Sequence, residues 1–194
     1  MSRDDGDADV VVIERSRAEP ARFAEIYDRH AAHIKRYLVR RIGTQAADDA
    51  LNETFLAAFG KRHRYDRAFP DARPWLYGIA TRVVGQYRRD EVREYRLRAS
   101  LRPADQVDGP ADRVAAKVTA QAGSVAMATA LSALSDGDRD VLLLIAWEGL
   151  SYEEVATALA IPVGTVRSRL NRARRKVRGA LESDARTLEE INHG

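Results

Sequence analysis

The chain of 194 residues contains no cysteine. This absence excludes a disulfide framework, a thiol nucleophile and every zinc or iron–sulfur site that includes a cysteine ligand. Long apolar runs are missing as well, because none approaches the roughly 20 residues that a helix needs to cross a bilayer. The chain starts with MSRDDGDAD, an acidic segment unlike the basic start of a secretion signal. These absences predict a cytoplasmic protein without membrane insertion.

Lysine is scarce too, since only four of the 32 basic residues are lysines and the rest are arginines. The planar guanidinium of arginine suits bidentate contacts to carboxylates, phosphates and guanine. The chain length fits one domain or two small ones, at about 150 residues per domain. With 45% hydrophobic residues, the chain can bury a core and differs in composition from a disordered polyelectrolyte.

The net charge of +3 hides an uneven distribution along the chain. Residues 61–98 hold 11 basic and 5 acidic side chains, and residues 161–194 hold 8 and 4. The stretch 99–130 between them is balanced, and 131–160 holds 1 basic and 6 acidic side chains. Two separate basic blocks indicate either a polyanion bound at two places or two solvated arginine-rich helix faces.

Apolar residues recur at steps of three and four along most of the chain, and no segment has the pattern of a β-strand. The predicted fold class is therefore all-α. The acidic leader, 1–18, is expected to be flexible. Helices are predicted over 20–42, ended by a glycine, and over 44–60, capped by a threonine. The loop 61–72 lacks periodicity and contains proline, and a third helix follows over about 74–98.

Proline and glycine residues make 99–111 the best linker candidate. Beyond it, Ser135 suits the start of a helix that Gly149 ends, and Ser151 with Glu154 forms a capping box for a short helix. That short helix, a turn and a longer basic helix have the arrangement of a helix-turn-helix. In such a motif, the N-terminal part of the second helix contacts base edges in the major groove.

The second helix of this motif has two different sides. At 100° per residue, one side is apolar and the opposite side is polar and basic. From Pro162 to Leu181 there are seven basic residues and no acidic one, whereas a solvated helix usually carries acids that pair at i, i+4. This imbalance favours DNA as the partner over a solvated or protein-binding face. The apolar stripe comprises Val166, Leu170, Ala173, Val177 and Leu181.

The first basic block combines arginines with aromatic residues. Bases of a separated strand can stack on aromatic rings while arginines follow the phosphates. Trp75 and Tyr87 share the apolar stripe of their helix, so a core position explains them at least as well as base contact. Tyr65 and Phe69 lie in the loop, where surface use is the better explanation.

Four stretches of the chain, in the same order, resemble the bacterial RNA polymerase sigma factors of the sigma-70 family, extracytoplasmic-function (ECF) subfamily, and are similar to actinobacterial members. They are FAEIYDRHAAHIKRYLVRRIG, ADDALNETFLAAF, RPWLYGIATRVVGQYRRDEVR and ALSALSDGDRDVLLLIAWEGLSYEEVATALAIPVGTVRSRLNRARRKVR. They cover about 20–98 and 127–182.

The resemblance implies two small helical domains joined by a flexible linker. Sigma region 2 would occupy 19–98, the linker 99–125 and sigma region 4 126–184, with a tail over 185–194. Region 2 would bind core polymerase and recognise and melt the −10 promoter element, and region 4 would bind the −35 element. Expected partners are core RNA polymerase, through its β′ clamp and β flap, promoter DNA and an anti-sigma factor. In the holoenzyme, the protein would be associated with the nucleoid.

The resemblance also implies roles for particular residues. The expected core-polymerase-binding residues are Asp48, Asp49, Leu51, Asn52, Glu53, Thr54 and Phe55. The expected −10 residues are Arg62, Arg64, Tyr65, Phe69, Trp75, Arg82, Arg88 and Arg89. The expected −35 residues are Thr165, Arg167, Ser168, Asn171, Arg172, Arg174 and Arg175. One departure concerns Arg82, because many relatives carry asparagine at this position near a flipped base.

A stand-alone helix-turn-helix regulator, with a sensor or dimerisation module in its N-terminal half, is the alternative function. The basic block 61–98 argues against it, because a sensor module does not need eleven basic residues with loop aromatics. For an enzyme, His30 and His33 would have to share a metal ion with Asp28, and a solvated helix face explains these histidines better. The chain has no glycine-rich phosphate loop and no nucleophile elbow, so no catalytic residue, metal or cofactor is expected.

Overall fold

The computed structural model describes residues 7–100 and 122–192, and their side chains over 7–97 and 127–182. Within these ranges the regular structure is helical without a strand, which confirms the all-α fold class. The chain divides into two compact units. The α-helices are α1 (Asp9–Arg15), α2 (Ala24–Ile42), α3 (Thr44–Lys61), α4 (Arg73–Ser100), α5 (Ala122–Ser132), α6 (Asp136–Ala146), α7 (Tyr152–Leu159) and α8 (Val163–Asn192).

The core of the N-terminal unit lies where α2 packs against α3 and where α4 adds its apolar side. Gly43 ends α2 with a φ of 81°, a left-handed conformation that glycine adopts without strain. The expected cap from Thr44 is wrong, because Thr44 is already the first helical residue and makes no capping hydrogen bond. The large side chains that this core buries completely include Ile26, Ile34, Tyr37, Leu38, Leu76, Tyr77 and Val84.

The prediction of a flexible leader over 1–18 is wrong from residue 9 onward. Residues Asp9–Arg15 form α1, in which Val12 and Ile13 are 1% exposed. The apolar run Val10–Ile13 is too short to reveal helical periodicity, but its burial against the N-terminal unit offsets the poor intrinsic stability of a one-to-two-turn helix. Residues 1–6 lie outside the described part of the chain.

In the C-terminal unit, α5 and α6 pack against α8. The predicted start of α6 is confirmed, because Ser135 Oγ accepts a hydrogen bond from the Asp138 amide. The capping box is confirmed as well: the Glu154 amide donates to Ser151 Oγ at 3.2 Å, and the Ser151 amide donates to Glu154 Oε2 at 2.7 Å. These contacts satisfy amides that have no partner inside their helices.

Arg139 secures the connection between α5 and α6. Its guanidinium donates to the carbonyl oxygens of Leu131, Ser132 and Leu134 at 2.7–2.9 Å. These carbonyls lie at the C-terminal end of α5 and just beyond it, where backbone acceptors have no helical partner. The Arg139 side chain thus stabilises the connection between α5 and α6.

Most of the predicted linker 99–125 lies outside the described residues. The predicted tail, 185–194, is helical as far as it is described, because α8 continues to Asn192. None of the helices in the described ranges combines the length and the apolar composition that membrane crossing requires.

Candidate nucleic-acid interface

The helix-turn-helix is formed by α7, a short turn and α8. Ala160 stands in the turn with a φ of 53°, a left-handed conformation that is unusual for a residue with a side chain. The Pro162 carbonyl accepts hydrogen bonds from the Thr165 and Val166 amides and so starts α8. The predicted start of the recognition helix at Pro162 or Val163 is therefore confirmed.

The two sides of α8 differ as predicted. Val166, Leu170 and Ala173 are buried, and Val177 and Leu181 are half-buried. Thr165 is half-buried in the first turn. The opposite side is open to solvent, and its exposed residues are Arg167, Ser168, Asn171, Arg172, Arg174 and Arg175.

Arg172 differs from the other arginines of this surface because it is held by a carboxylate. Its Nε donates to Asp138 Oδ2 at 2.9 Å and its second guanidinium nitrogen donates to Oδ1 at 3.0 Å. The Asp138 side chain is 3% exposed and that of Arg172 is 48% exposed. The hydrogen bonds from Arg172 hold the pKa of the Asp138 carboxyl below its usual value. The sequence pattern assigned Asp138 to the α6 cap and gave no sign of this second contact.

Several cations of α8 remain available to an external anion, and three of them belong to the expected −35 set. Within the described ranges, Arg167, Arg174 and Arg175 form no ion pair. Unpaired guanidinium groups on one solvent-facing side create a positive potential that attracts a polyanion. This arrangement can bind phosphates and can donate to base edges.

The loop 61–72 contains one anchored and one exposed aromatic residue. Tyr65 is 6% exposed, packs edge-to-face on Trp75 at 5.0 Å and donates its hydroxyl to the Phe69 carbonyl at 2.8 Å. Burial raises the pKa of the Tyr65 phenol. The expectation that Tyr65 serves at the surface is therefore wrong, because it packs against a ring that the sequence placed on the next helix. Phe69 remains exposed and Trp75 is half-buried.

The arginines assigned to the −10 element fall into two groups. Arg62 is half-buried, donates to the Phe59 and Ser16 carbonyls and lies 3.9 Å over the Phe59 ring, so its guanidinium is used inside the unit. Arg88 is half-buried and donates to the Arg41 carbonyl. The exposed members of the set are Arg64, Arg82 and Arg89.

On α3 the structure separates the seven residues assigned to polymerase binding. Leu51, Thr54 and Phe55 are buried, and Thr54 Oγ1 donates to the Ala50 carbonyl, so these three support the helix from inside. A direct contact from Thr54 to a partner is therefore excluded in this conformation. The exposed members are Asp48, Asp49, Asn52 and Glu53, and Lys35 Nζ pairs with Asp48 at 2.6 Å. Leu56 is 72% exposed next to this polar face, and sequence reasoning missed it.

A chain of polar side chains, buried except for the half-buried His33, links α1, α2 and α4. Tyr77 Oη lies 2.9 Å from His33 Nδ1, His33 Nε2 lies 2.8 Å from His30 Nδ1, and His30 Nε2 lies 2.7 Å from Asp9 Oδ2. The solvated helix face expected for the two histidines is therefore wrong, because α1 and α4 cover them. Burial and the neighbouring His30 lower the pKa of His33 to about 4.

Asp9 is the most heavily bonded member of this chain. Burial alone would raise its pKa, but hydrogen bonds from His30, from the Ala72 amide and from Arg29 hold the pKa below its ordinary value. Asp9, His30 and Asp71 also offer ligand atoms within 4.8 Å of one another, a spacing that a metal ion can bridge. Because protein donors already bind both oxygens of Asp9, the contacts favour a structural role for this cluster.

The C-terminal unit carries an apolar groove beside its basic surface. The groove is lined by Leu142, Arg174, Val177, Arg178, Leu181 and Glu182. Leu142 lies on α6, and the other lining residues lie on α8. Such a groove can receive apolar side chains of a partner, with arginines at its edge.

The geometry defines a two-unit helical protein with a basic recognition helix, and known proteins share both units. Models of sigma-70 region 2 and sigma-70 region 4 match residues 26–94 and 124–177. The ECF RNA polymerase sigma factor SigL of Mycobacterium tuberculosis is 34% identical over 166 residues, which are 85% of this chain and 92% of SigL. SigC of the same species is 37% identical over 139 residues, or 72% of each chain.

Solved structures agree with these sequence relatives. CnrH, a sigma factor of Cupriavidus metallidurans, was solved in complex with the cytosolic domain of CnrY. That structure matches 92% of this chain and 99% of CnrH with a TM-score of 0.63 and 25% identity. The chain therefore belongs to the sigma-70 family of RNA polymerase sigma factors, in its ECF subfamily. Its function is that of a sigma factor, which directs promoter-specific transcription initiation.

Proposed function

We propose that this sigma factor binds core RNA polymerase through its N-terminal unit and reads two promoter elements, one with each unit. The observation that supports this best is the recognition helix α8, whose apolar side is buried while its unpaired arginines face solvent. The proposed −35 contacts are Thr165, Arg167, Ser168, Asn171, Arg172, Arg174 and Arg175. Arg172 would have to reach DNA while it is bound to Asp138, or leave that carboxylate.

The −10 element is assigned to the loop 61–72 and the adjoining side of α4. Arg64, Arg82 and Arg89 are the exposed arginines of the expected −10 set, and Phe69 is the exposed ring of the loop. A ring and several guanidinium groups suit a separated strand, whose bases stack while its phosphates bind cations. Tyr65, Arg62 and Arg88 would act by holding the backbone of this surface.

The polymerase contact is assigned to the exposed polar side of α3. Asp49, Asn52 and Glu53 form a solvent-facing polar patch with two carboxylates beside the apolar Leu56. This patch suits the β′ clamp helices, and the apolar groove of the C-terminal unit suits the β flap. An exposed leucine inside a polar rim is typical of the centre of a protein interface.

The remaining assignments follow from the family. The protein would act as a binding subunit in the cytoplasm, associated with the nucleoid in the holoenzyme, without a catalytic residue, metal or cofactor. The complex of CnrH with the cytosolic domain of CnrY supports a regulatory protein partner, an anti-sigma factor, for this chain as well.

Binding and run-off transcription with core RNA polymerase test the proposal. We expect the full chain to bind core polymerase and to start transcripts from a defined subset of a genomic promoter library. Glu53→Gln should weaken polymerase binding without changing the duplex affinity of the free protein. Glu19→Gln, an exposed change elsewhere in the N-terminal unit, is the matched control. A protein that footprints duplex DNA alone and has no affinity for core polymerase would instead be a stand-alone regulator.

A further inference from the structure

The loop assigned to the −10 element is tied along its length to α1 and the two residues after it. The Ala72 amide donates to Asp9 Oδ2 at 3.0 Å, and the Val10 amide donates to the Pro70 carbonyl at 3.4 Å. In the middle of the loop, Arg67 donates to Glu14 Oε1 at 2.6 Å. These bonds join segments that are more than 50 residues apart in the sequence.

Two further bonds hold the start of the loop. Arg17 donates to the His63 carbonyl at 3.2 Å, and Arg62 Nε donates to the Ser16 carbonyl at 3.3 Å. Few side chains of the loop itself are buried: Tyr65 and Ala72 are buried, and the others are exposed or half-buried. The position of the loop backbone therefore depends on α1.

Asp9 connects this support to the interior of the unit. One carboxylate oxygen binds both His30 and the Ala72 amide, and the other binds Arg29. The Ala72 amide stands at the junction where the loop enters α4. Because the carboxylate is buried and bonded on both sides, moving it would move the end of the loop.

From these contacts we propose that α1 sets the conformation of the loop 61–72 for −10 recognition, with Asp9 as the positioning residue. This inference rests on the proposed −10 function of the loop. Asp9 itself would touch neither base nor phosphate; it acts through the backbone at Ala72. Glu14 also acts as a positioning residue, because its carboxylate binds the Arg67 guanidinium at 2.6 Å and so fixes the middle of the loop.

The test compares variants of the full chain in the holoenzyme. The measured quantity is the ratio of affinities for a single-stranded −10 sequence, taken from the selected promoters, and a scrambled strand of equal length. Because one base readout contributes roughly fivefold or more, we expect Asp9→Asn to lower this ratio at least about fivefold. Core-polymerase affinity and affinity for the −35 duplex should stay within about twofold. Asp9→Glu, which keeps the charge, should restore part of the ratio.

Glu14→Gln is the second variant, because it weakens the surface contacts of Glu14 with Arg67 and Arg17 and leaves the buried chain intact. It should lower the ratio less than Asp9→Asn and speed hydrogen exchange of the 61–72 amides. The matched control, Glu19→Gln, should change neither readout. If the wild type prefers the −10 strand and the ratio is unchanged in Asp9→Asn and Glu14→Gln, the role of α1 is overturned, whereas the proposed −10 function is not. A wild-type holoenzyme that does not discriminate would overturn the proposed −10 function itself.

Discussion

Protonation of His33 should destabilise the N-terminal unit in mild acid. In the folded protein the Nε2 and Nδ1 atoms of His33 contact His30 and Tyr77, and the pKa is lowered from 6.5 to about 4. The groups around it are Asp9 on α1, His30 and Arg36 on α2 and Arg73 on α4. Burial and the like charges disfavour the imidazolium, and a protonated ring would lose the acceptor that the chain needs.

The folded and unfolded pKa values of His33 determine how much stability the unit loses as the pH falls. Since the pKa is depressed on folding, the stabilisation is complete above the unfolded value of 6.5 and is lost as pH falls towards about 4. The full difference corresponds to about 3 kcal/mol, of which about 2 kcal/mol would be lost at pH 5. Because His33 is half-buried, solvent screens part of this effect, and we expect a loss of about 1 kcal/mol at pH 5. Asp9, whose pKa is also lowered, adds to the loss only in the more acidic range below its ordinary value of 3.8.

The assay is urea unfolding of the full chain at pH 7.5 and pH 5.0. The chain has two tryptophans, one in each unit, so a Trp147→Phe background leaves Trp75 fluorescence as the reporter of the N-terminal unit. We expect the free energy of unfolding to fall by about 1 kcal/mol in this background. His33→Gln, which does not titrate, should flatten the dependence, and the exposed His63→Gln should keep it. The reasoning is refuted by equal slopes in His33→Gln and the parent, or by a parent whose stability is the same at both pH values.

Three further predictions concern the C-terminal unit. Arg175→Ala should weaken binding to a −35 duplex by about 1–3 kcal/mol if its guanidinium reads a base, measured by fluorescence anisotropy with Arg22→Ala as control. Asp138→Asn should release Arg172 and alter base preference at its −35 position in a duplex selection, whereas identical selected sequences would contradict this coupling. Arg139→Ala should destabilise the unit by about 2–3 kcal/mol, as followed by Trp147 fluorescence during unfolding. The Ser132 and Leu134 carbonyls lose the Arg139 donor, and the Leu131 carbonyl keeps the Leu134 amide.

Local features of the sequence predicted most of the secondary structure. The capping box of α7, the serine cap of α6 and the apolar stripe of α8 depend on residues three or four positions apart, and the structure confirms all three. The same locality explains why the exposed acidic side of α3 was predicted correctly while the role of buried Thr54 was not. A spacing pattern shows which side of a helix is polar, but membership of a motif does not show which of its residues are exposed and which are buried.

The contacts that the sequence did not predict join distant segments. Asp9 meets Ala72 across 63 positions and Arg172 meets Asp138 across 34. Tyr65 was assigned to the surface because its loop has no periodicity, yet it is buried against Trp75 on α4. These cases have one cause: the local sequence pattern reflects neighbours along the chain, whereas the contacts of each side chain are made with residues that are distant in the sequence.

The ties between α1 and the loop 61–72 bear on how promoter preference can be exchanged between relatives. The loop conformation is encoded in two places, around residues 9–17 and around 62–72. A chimera that receives only the loop would place it on a foreign α1 with other side chains at the contact points. Transplanting both segments together is the smallest graft that carries the complete set of contacts.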